Sequence, residues 1–360
     1  MRSIILVDLL QTTGTRGGIE VYVRELYSAI ANSESNYDFV GYAGHQMTGS
    51  DFSWFPGEVT FCPLRTDNKI SWALAETVFL STVTFLRRPA ALHCPAMLGP
   101  VLSNCPVILT IHDLSYFTRP DLTGSRLSAG FVRLMERSVA RISSAVITIS
   151  EFTKDNILKF LPRRKFPIHV IPLAPRKLPT IAPLDSSRDV HFLAMGQRSP
   201  YKDFDTIVRA WAEIPEASRK HLVITGSHGA DPLIALVQEL ELEAWVDLRD
   251  WVSDEDLAGL MGNAIALIDS TLETGFSLPA TEAIALGIPV ILADTEIFRE
   301  VGQNRAHYYE PGSPQSLARV IENTFPGRGE VTPWRNSKHT STSWEDVALK
   351  TLQVFREAIK

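Results

Sequence analysis

Short runs of consecutive apolar, largely β-branched residues punctuate this chain, and between them the apolar positions fall at helical spacing. In the first half the runs are Ile4–Val7, Ala91–His93, Val107–Thr110 and Ala145–Ile149. In the second half they are Phe192–Met195, Leu222–Thr225, Ala264–Asp269 and Pro289–Ala293. Apolar runs without alternation suit strands covered on both faces, the pattern of a parallel sheet. Leu127, Phe131, Leu134, Met135 and Val139 line up as one apolar helical stripe, and Leu233, Leu236, Val237 and Leu240 as another. Asp231 suits the N-cap of the second helix and Pro232 its first position. Strands alternating with helices predict an α/β class of doubly wound parallel sheets.

The rhythm breaks between Pro172 and Ser187, where four prolines fall with little periodicity. Residues without an N–H do not fit a helix interior or a central strand, so this stretch reads as a stiff linker between two domains, 1–172 and 173–340. A second irregular stretch, Gly327–Ser343, precedes Trp344–Lys360, whose Trp344, Val347, Leu352, Phe355 and Ile359 again have helical spacing. The length of 360 residues suffices for two α/β cores.

Composition narrows the class. Hydrophobic residues are 45% and charged residues 21%, which excludes disordered and fibrous chains. Cys62, Cys94 and Cys105 lack the spacing of a zinc site or a disulfide framework, so a reducing cytoplasm is expected. No apolar run is long enough to span a bilayer, and MRSIILVDLL reads as a buried first strand and not a signal peptide. Residues 1–172 hold 17 Lys+Arg against 14 Asp+Glu, while the remainder holds 18 against 27. The Arg87-Arg88 and Arg163-Arg164-Lys165 clusters are either solvated surface charges or a peripheral contact with anionic membrane. No nucleic-acid partner is expected.

Several loops at strand ends carry candidate chemistry. After the first strand, Gly17-Gly18 stands where a loop turns into a helix near Ile19, a place where backbone N–H groups approach a phosphate. The GxGxxG dinucleotide spacing is missing there, which argues against a dehydrogenase. His112 follows the Val107–Thr110 run, at the strand end where open α/β sheets bind ligands. Ser150 reads as the N-cap of the next helix. In the second half, Arg198 and Lys202 place two cations on one short loop, suited to a pyrophosphate leaving group. The segment from Ser270 to Ala283 runs from strand to glycine turn to helix. Its Gly275, Phe276, Ser277 and Leu278 amides face an anion, and Glu282, one turn into the helix, suits the vicinal hydroxyls of a ribose.

With these loops in place, the chain resembles the retaining GT-B glycosyltransferases of family 4, the glycosyl transferases group 1, over nearly its whole length. The resemblance rests on Gly17-Gly18, His112, Arg198 with Lys202, and TGFSLPATE at 274–282. It implies two Rossmann-like domains facing a central cleft, a terminal helix (341–360) crossing back to the first domain, and no metal. It also implies transfer of a hexose from a nucleoside-diphosphate sugar to a glycan, lipid-linked or small-molecule acceptor, with the donor as co-substrate and no other cofactor. His112, Arg198, Lys202 and Glu273 or Thr274 would be catalytic; Gly17, Gly18, Gly275, Phe276, Ser277, Leu278 and Glu282 would bind donor. Two departures stand out. Thr274 occupies the first glutamate position of the E-x7-E pattern, with Glu273 displaced by one, and Gln197 takes the place of the usual arginine beside the loop glycine. The IHDLSYFTRPD stretch resembles bacterial polysaccharide mannosyltransferases, which favours GDP-mannose as donor. The acceptor contacts fall in the His45–Thr66 loops. A sugar-nucleotide epimerase of the same fold and a non-catalytic sugar-nucleotide-binding subunit remain alternatives.

Overall fold

The structure, a computed structural model, describes all residues except 1, 13, 15–16, 123–125, 162–165, 177, 180–189 and 327–341, and leaves aside the side chains of 69 and 126–128. The Arg163-Arg164-Lys165 cluster, most of the proline-rich stretch and nearly all of Gly327–Ser343 therefore lie outside the described residues. Packing divides the chain into two units, Met1–Ala174 together with Thr342–Lys360, and Pro175–Ser341.

The first unit is built on seven parallel strands: β1 (Ser3–Leu9), β2 (Tyr37–Ala43), β3 (Gly57–Phe61), β4 (Ala91–Cys94), β5 (Val107–Ile111), β6 (Ser143–Thr148) and β7 (Ile168–Val170). Their order is β3-β2-β1-β4-β5-β6-β7, with Ile5 registered beside Phe39 on one side and Ala91 on the other. The second unit has six: β8 (His191–Met195), β9 (His221–Ser227), β10 (Val246–Asp250), β11 (Ala264–Asp269), β12 (Val290–Ala293) and β13 (Ala306–Tyr309). Their order is β10-β9-β8-β11-β12-β13, again all parallel. The eight apolar runs became β1, β4, β5, β6, β8, β9, β11 and β12. In each sheet the chain reverses its direction of travel once, between β1 and β4 and between β8 and β11. The carboxyl ends at those reversals are where such sheets bind ligands.

Helices cover both faces of the first sheet. On one, Gly17–Ala31 packs with the terminal helix Trp344–Ile359; Tyr22 lies 6.3 Å from Trp344, and His93 of β4 lies 5.1 Å from Phe355. Ser343 and Asp346 close that terminal helix with a reciprocal capping box. On the other face, Ala75 and Leu80, Val139 and Ala140, and Ile157 come from three helical segments. They share one core with Leu6, Leu92, Leu109 and Val146.

Two helix readings change. The Arg126–Ile142 helix buries Met135 and Val139, but Phe131 and Leu134 of the expected core stripe are exposed, and Leu127 is outside the described side chains. Asp231 does not cap its helix, which starts at Ile234; it instead accepts the Leu233 N–H and pairs with Arg198.

Candidate functional site

The second unit's site is assembled at the β8–β11 reversal from two loops tied to each other. Ser270 donates its hydroxyl to the Lys202 carbonyl at 2.6 Å, and the Leu272 N–H donates to the Tyr201 carbonyl at 2.8 Å. Lys202 Nζ lies 3.1 Å from Thr271 Oγ1. Asp269, buried at the end of β11, accepts from the Thr271 hydroxyl through one oxygen and from the Ser277 hydroxyl, at 2.7 Å, through the other. Ser277 in turn caps the helix Leu278–Ala285, accepting the Ala280 N–H at 3.1 Å. A single buried carboxylate thus fixes both the loop and the helix N-terminus. The first-turn N–H groups of a helix lack intrahelical acceptors and carry its positive end, so the site is pre-set for an anion. Gly196 at the end of β8 has φ +140°, which favours glycine, and a Cβ there would lie 3.5 Å from the Lys202 chain.

Thr274 spends its hydroxyl inside the turn, donating to the Phe276 carbonyl at 2.5 Å. Glu273 beside it is half-buried, as are Phe276 and Leu278, while Gly275 is buried. Glu282 is only 1% exposed and is held by a two-pronged contact from Arg176: Nε to Oε1 at 2.6 Å and Nη2 to Oε2 at 3.2 Å. Arg176 also reaches Asp254 at 3.2 Å. Such fork-to-fork pairing fixes the carboxylate plane and leaves the outer lone pairs for hydroxyl donors.

Arg198 is placed differently from the expectation. Its Nε and Nη2 engage the Asp231 carboxylate, Nη1 donates to the carbonyls of Gly196 and Thr225, and Nη2 also donates to Ile224. A guanidinium has five N–H groups, and these contacts occupy all of them. Its side chain is 6% exposed and stacks over Phe204 at 4.9 Å. Arg198 braces the β8 loop and has no N–H left for a diphosphate.

In the first unit, Gly17 and Gly18 form the first turn of the Gly17–Ala31 helix, two residues earlier than expected. A Cβ at Gly17 would meet nothing within 4 Å, so open space lies against this turn. Glu20 folds back onto the Gly14 N–H, at 2.9 Å from Oε1. His112 is buried just past β5, with Nε2 2.7 Å from the Pro95 carbonyl and its ring edge-on to Tyr22 at 4.8 Å. A carbonyl only accepts, so Nε2 carries the proton. Burial holds the imidazole pKa below its usual value, so the ring is neutral and Nδ1 is an acceptor. Behind it, Tyr27, His93 and Thr110 form a buried chain, with Tyr27 Oη 2.6 Å from His93 Nδ1 and His93 Nε2 3.0 Å from Thr110 Oγ1.

The model of glycosyltransferase family 4 matches residues 16–174, and that of glycosyl transferases group 1 matches residues 183–329. The chain belongs to the family 4 glycosyltransferases. The O-antigen chain mannosyltransferase RfbU of Salmonella typhimurium is 30% identical over 62% of this chain and 62% of its own length, so the match spans less than two thirds of that relative. The O-antigen chain mannosyltransferase B of Escherichia coli is 24% identical over 69% of this chain and 70% of its own. Among solved structures, the sucrose-phosphate synthase of Thermosynechococcus elongatus has a TM-score of 0.78 at 18% identity, covering 99% of each chain. Anabaena HepE, solved with UDP and glucose, has a TM-score of 0.72 at 14% identity, covering 99% of this chain and 100% of its own. The fold is the GT-B pair of Rossmann-like domains.

Within this family 4 chain, the structure brings Lys202, Thr271, Asp269 and Ser277 together, and separately Glu282, Arg176 and Asp254. The first group is stitched by the Asp269 carboxylate, a residue the sequence reading ended a strand with and did not use. Its signal was there: an acidic residue closing an otherwise apolar run needs a buried polar partner. Arg176 gave no such signal, because it sits among prolines without periodicity. Among the described residues there is no cluster of three or more His, Cys, Asp or Glu side chains fit for a metal, and no helix long and apolar enough to cross a membrane.

Proposed function

We propose that this protein is a retaining glycosyltransferase that moves mannose from a nucleoside-diphosphate mannose, GDP-mannose in the first instance, to a glycan hydroxyl in polysaccharide or glycoconjugate biosynthesis. The observation that carries the reading is the Lys202 ammonium held at 3.1 Å from Thr271 on a loop pinned to the capped N-terminus of Leu278–Ala285. A fixed cation and fixed helix-end dipoles stabilise charge on a departing diphosphate without reorganising, which is worth about 3 kcal/mol per donor group. Glu282, oriented by Arg176, accepts the ribose hydroxyls. Glu273 supplies the loop's carboxylate toward the sugar, since Thr274 is committed to its own turn. Arg198 is a positioning residue.

In the first unit the N–H groups of Gly17 and Gly18 and the Nδ1 of His112 serve the transferred sugar. The acceptor oxygen forms the new bond to the anomeric carbon as the bond from that carbon to the diphosphate oxygen breaks. The acceptor proton leaves with the diphosphate. The mannosyltransferase relatives support mannose; their O-antigen chains support a glycan acceptor.

A thermal-shift panel tests the reading. GDP and GDP-mannose at about 100 times their dissociation constants should add roughly 2.7 kcal/mol and raise Tm, with NADH inert. A panel in which no nucleoside diphosphate or nucleotide sugar moves Tm would overturn it.

A further inference from the structure

Four buried polar side chains behind His112 form a chain that the proposed reaction leaves unused. Tyr27 Oη lies 2.6 Å from His93 Nδ1, His93 Nε2 lies 3.0 Å from Thr110 Oγ1, and Thr110 Oγ1 lies 3.3 Å from Tyr22 Oη. None of the four is more than 1% exposed. Apolar residues would fill this space without the cost of burying polar groups. What a satisfied polar chain adds is one fixed arrangement.

That arrangement reaches the site. Tyr22 and Tyr27 both stand on the Gly17–Ala31 helix, whose first turn carries the Gly17 and Gly18 N–H groups. His93 is on β4 and Thr110 on the neighbouring β5, so the chain ties this helix to two strands. Thr110 and His112 are two positions apart on extended backbone and face the same side. Tyr22 spans both. Its hydroxyl meets Thr110, and its ring stands edge-on to the imidazole, with centroids 4.8 Å apart and planes at 80°. The 2.7 Å contact from His112 Nε2 to the Pro95 carbonyl fixes only one atom of that imidazole. A turn of the ring about the line from Cβ to Nε2 keeps the bond and swings Nδ1 out of place. A second contact has to set the plane, and the Tyr22 ring supplies it.

The terminal helix braces both ends of the arrangement. Trp344 lies 6.3 Å from Tyr22 and Phe355 lies 5.1 Å from His93, and both are buried. The two are about three helical turns apart and so share one face. We infer that Tyr22 is a positioning residue for His112 and that Trp344 holds Tyr22 against it, so that the last helix of the chain sets the imidazole plane. The inference rests on the reading that His112 Nδ1 serves the transferred sugar. The ring of Tyr22 is what acts on His112; its hydroxyl makes the longest of the three links and matters less.

Two readouts in the full-length protein test it: imidazole nitrogen NMR spectra of histidine-labelled protein, and GDP release from GDP-mannose with water as acceptor. His112→Gln identifies the His112 signals, which in the parent should show one neutral tautomer with the proton on Nε2. Tyr22→Leu and Trp344→Ala should shift or split those signals and lower kcat about tenfold, with KM for GDP-mannose within about twofold of the parent. Tyr22→Phe and Trp344→Phe keep a ring in place and should return both readouts to near the parent's. The two disruptive variants act from different helices, so loss of fold in one leaves the other to decide. His112 signals unchanged in Tyr22→Leu or Trp344→Ala would overturn the assignment, as would a Tyr22→Phe variant impaired as much as Tyr22→Leu. A parent protein that releases no GDP would overturn the mannosyl-transfer reading, and the spectra alone would then decide the positioning.

Discussion

Around the β8–β11 reversal, Asp269, Arg198 and Glu282 are buried and each is paired, with Ser277, Asp231 and Arg176 in turn. Beneath the β1–β4 reversal, burial instead pushes side chains out of their charged forms. Asp8, on β1, is raised to about 6 by desolvation, against which a contact with Glu76 and the Leu10 N–H pull only partly. His93 is pushed down to about 3 by the same cause. The second unit therefore keeps its charges by pairing them and has one ammonium, on Lys202, aimed into an anion-accepting loop. The first shifts its buried groups toward their neutral forms by desolvation, leaving His93 and His112 uncharged and the Asp8 carboxyl titrating near 6.

The largest test of that contrast is Arg198→Met. It strands Asp231, whose side chain is 7% exposed, without its counter-ion and should cost about 3–5 kcal/mol of stability in urea unfolding. Stability kept in full by Arg198→Lys would show that the charge, and not the five-donor fork, is what matters. Lys202→Ala should leave Tm within a degree or two yet lower transfer by about a hundredfold or more, near 3 kcal/mol. Loss of stability in its place would make Lys202 part of the scaffold.

Asp8→Asn probes the other unit. A carboxyl whose folded pKa is raised from 3.8 to about 6 favours folding when protonated, and that contribution fades as pH rises through 6. At about 1.4 kcal/mol per unit, the Asn variant should be up to roughly 3 kcal/mol more stable than the parent at pH 7. The difference should vanish below pH 4, as read by denaturation midpoints across pH. A pH-independent difference would mean that the fold leaves the Asp8 pKa unshifted. The smallest effect is Ser277→Ala, which removes the cap of Leu278–Ala285 and should cost about 1 kcal/mol. Because Ser277 also holds Asp269, donor affinity should fall more than stability does.

The same contrast explains what could be read from the sequence. The eight apolar runs are strands flanked by neighbours, and burial on both faces writes itself as an unbroken apolar string. Four of the five strands without such a run, β3, β7, β10 and β13, are sheet edges. Val246–Asp250 alternates toward solvent as VDLRD, and Ala306–Tyr309 is no more than half-buried for three of its four positions. The fifth, β2, is interrupted by Gly41, where a Cβ would meet Leu9 at 2.7 Å. Loop chemistry was legible as residue types at strand ends. Which donors are already occupied was not: Arg198 and Lys202 look alike in one loop, and it is Asp231 with the carbonyls of Gly196, Ile224 and Thr225 that makes Arg198 the brace, while Lys202 has the Thr271 hydroxyl. The Arg126–Ile142 helix, with Phe131 and Leu134 exposed, shows the limit from the other side, since an apolar outward face and an apolar inward face have the same spelling.

The most direct measurement is calorimetric titration of GDP, GMP and guanosine into the parent protein and Lys202→Ala. The account predicts that GDP binds the parent at least tenfold more tightly than GMP, and that this preference disappears in the variant while guanosine binds both alike. A GDP preference unchanged by loss of Lys202 would contradict it.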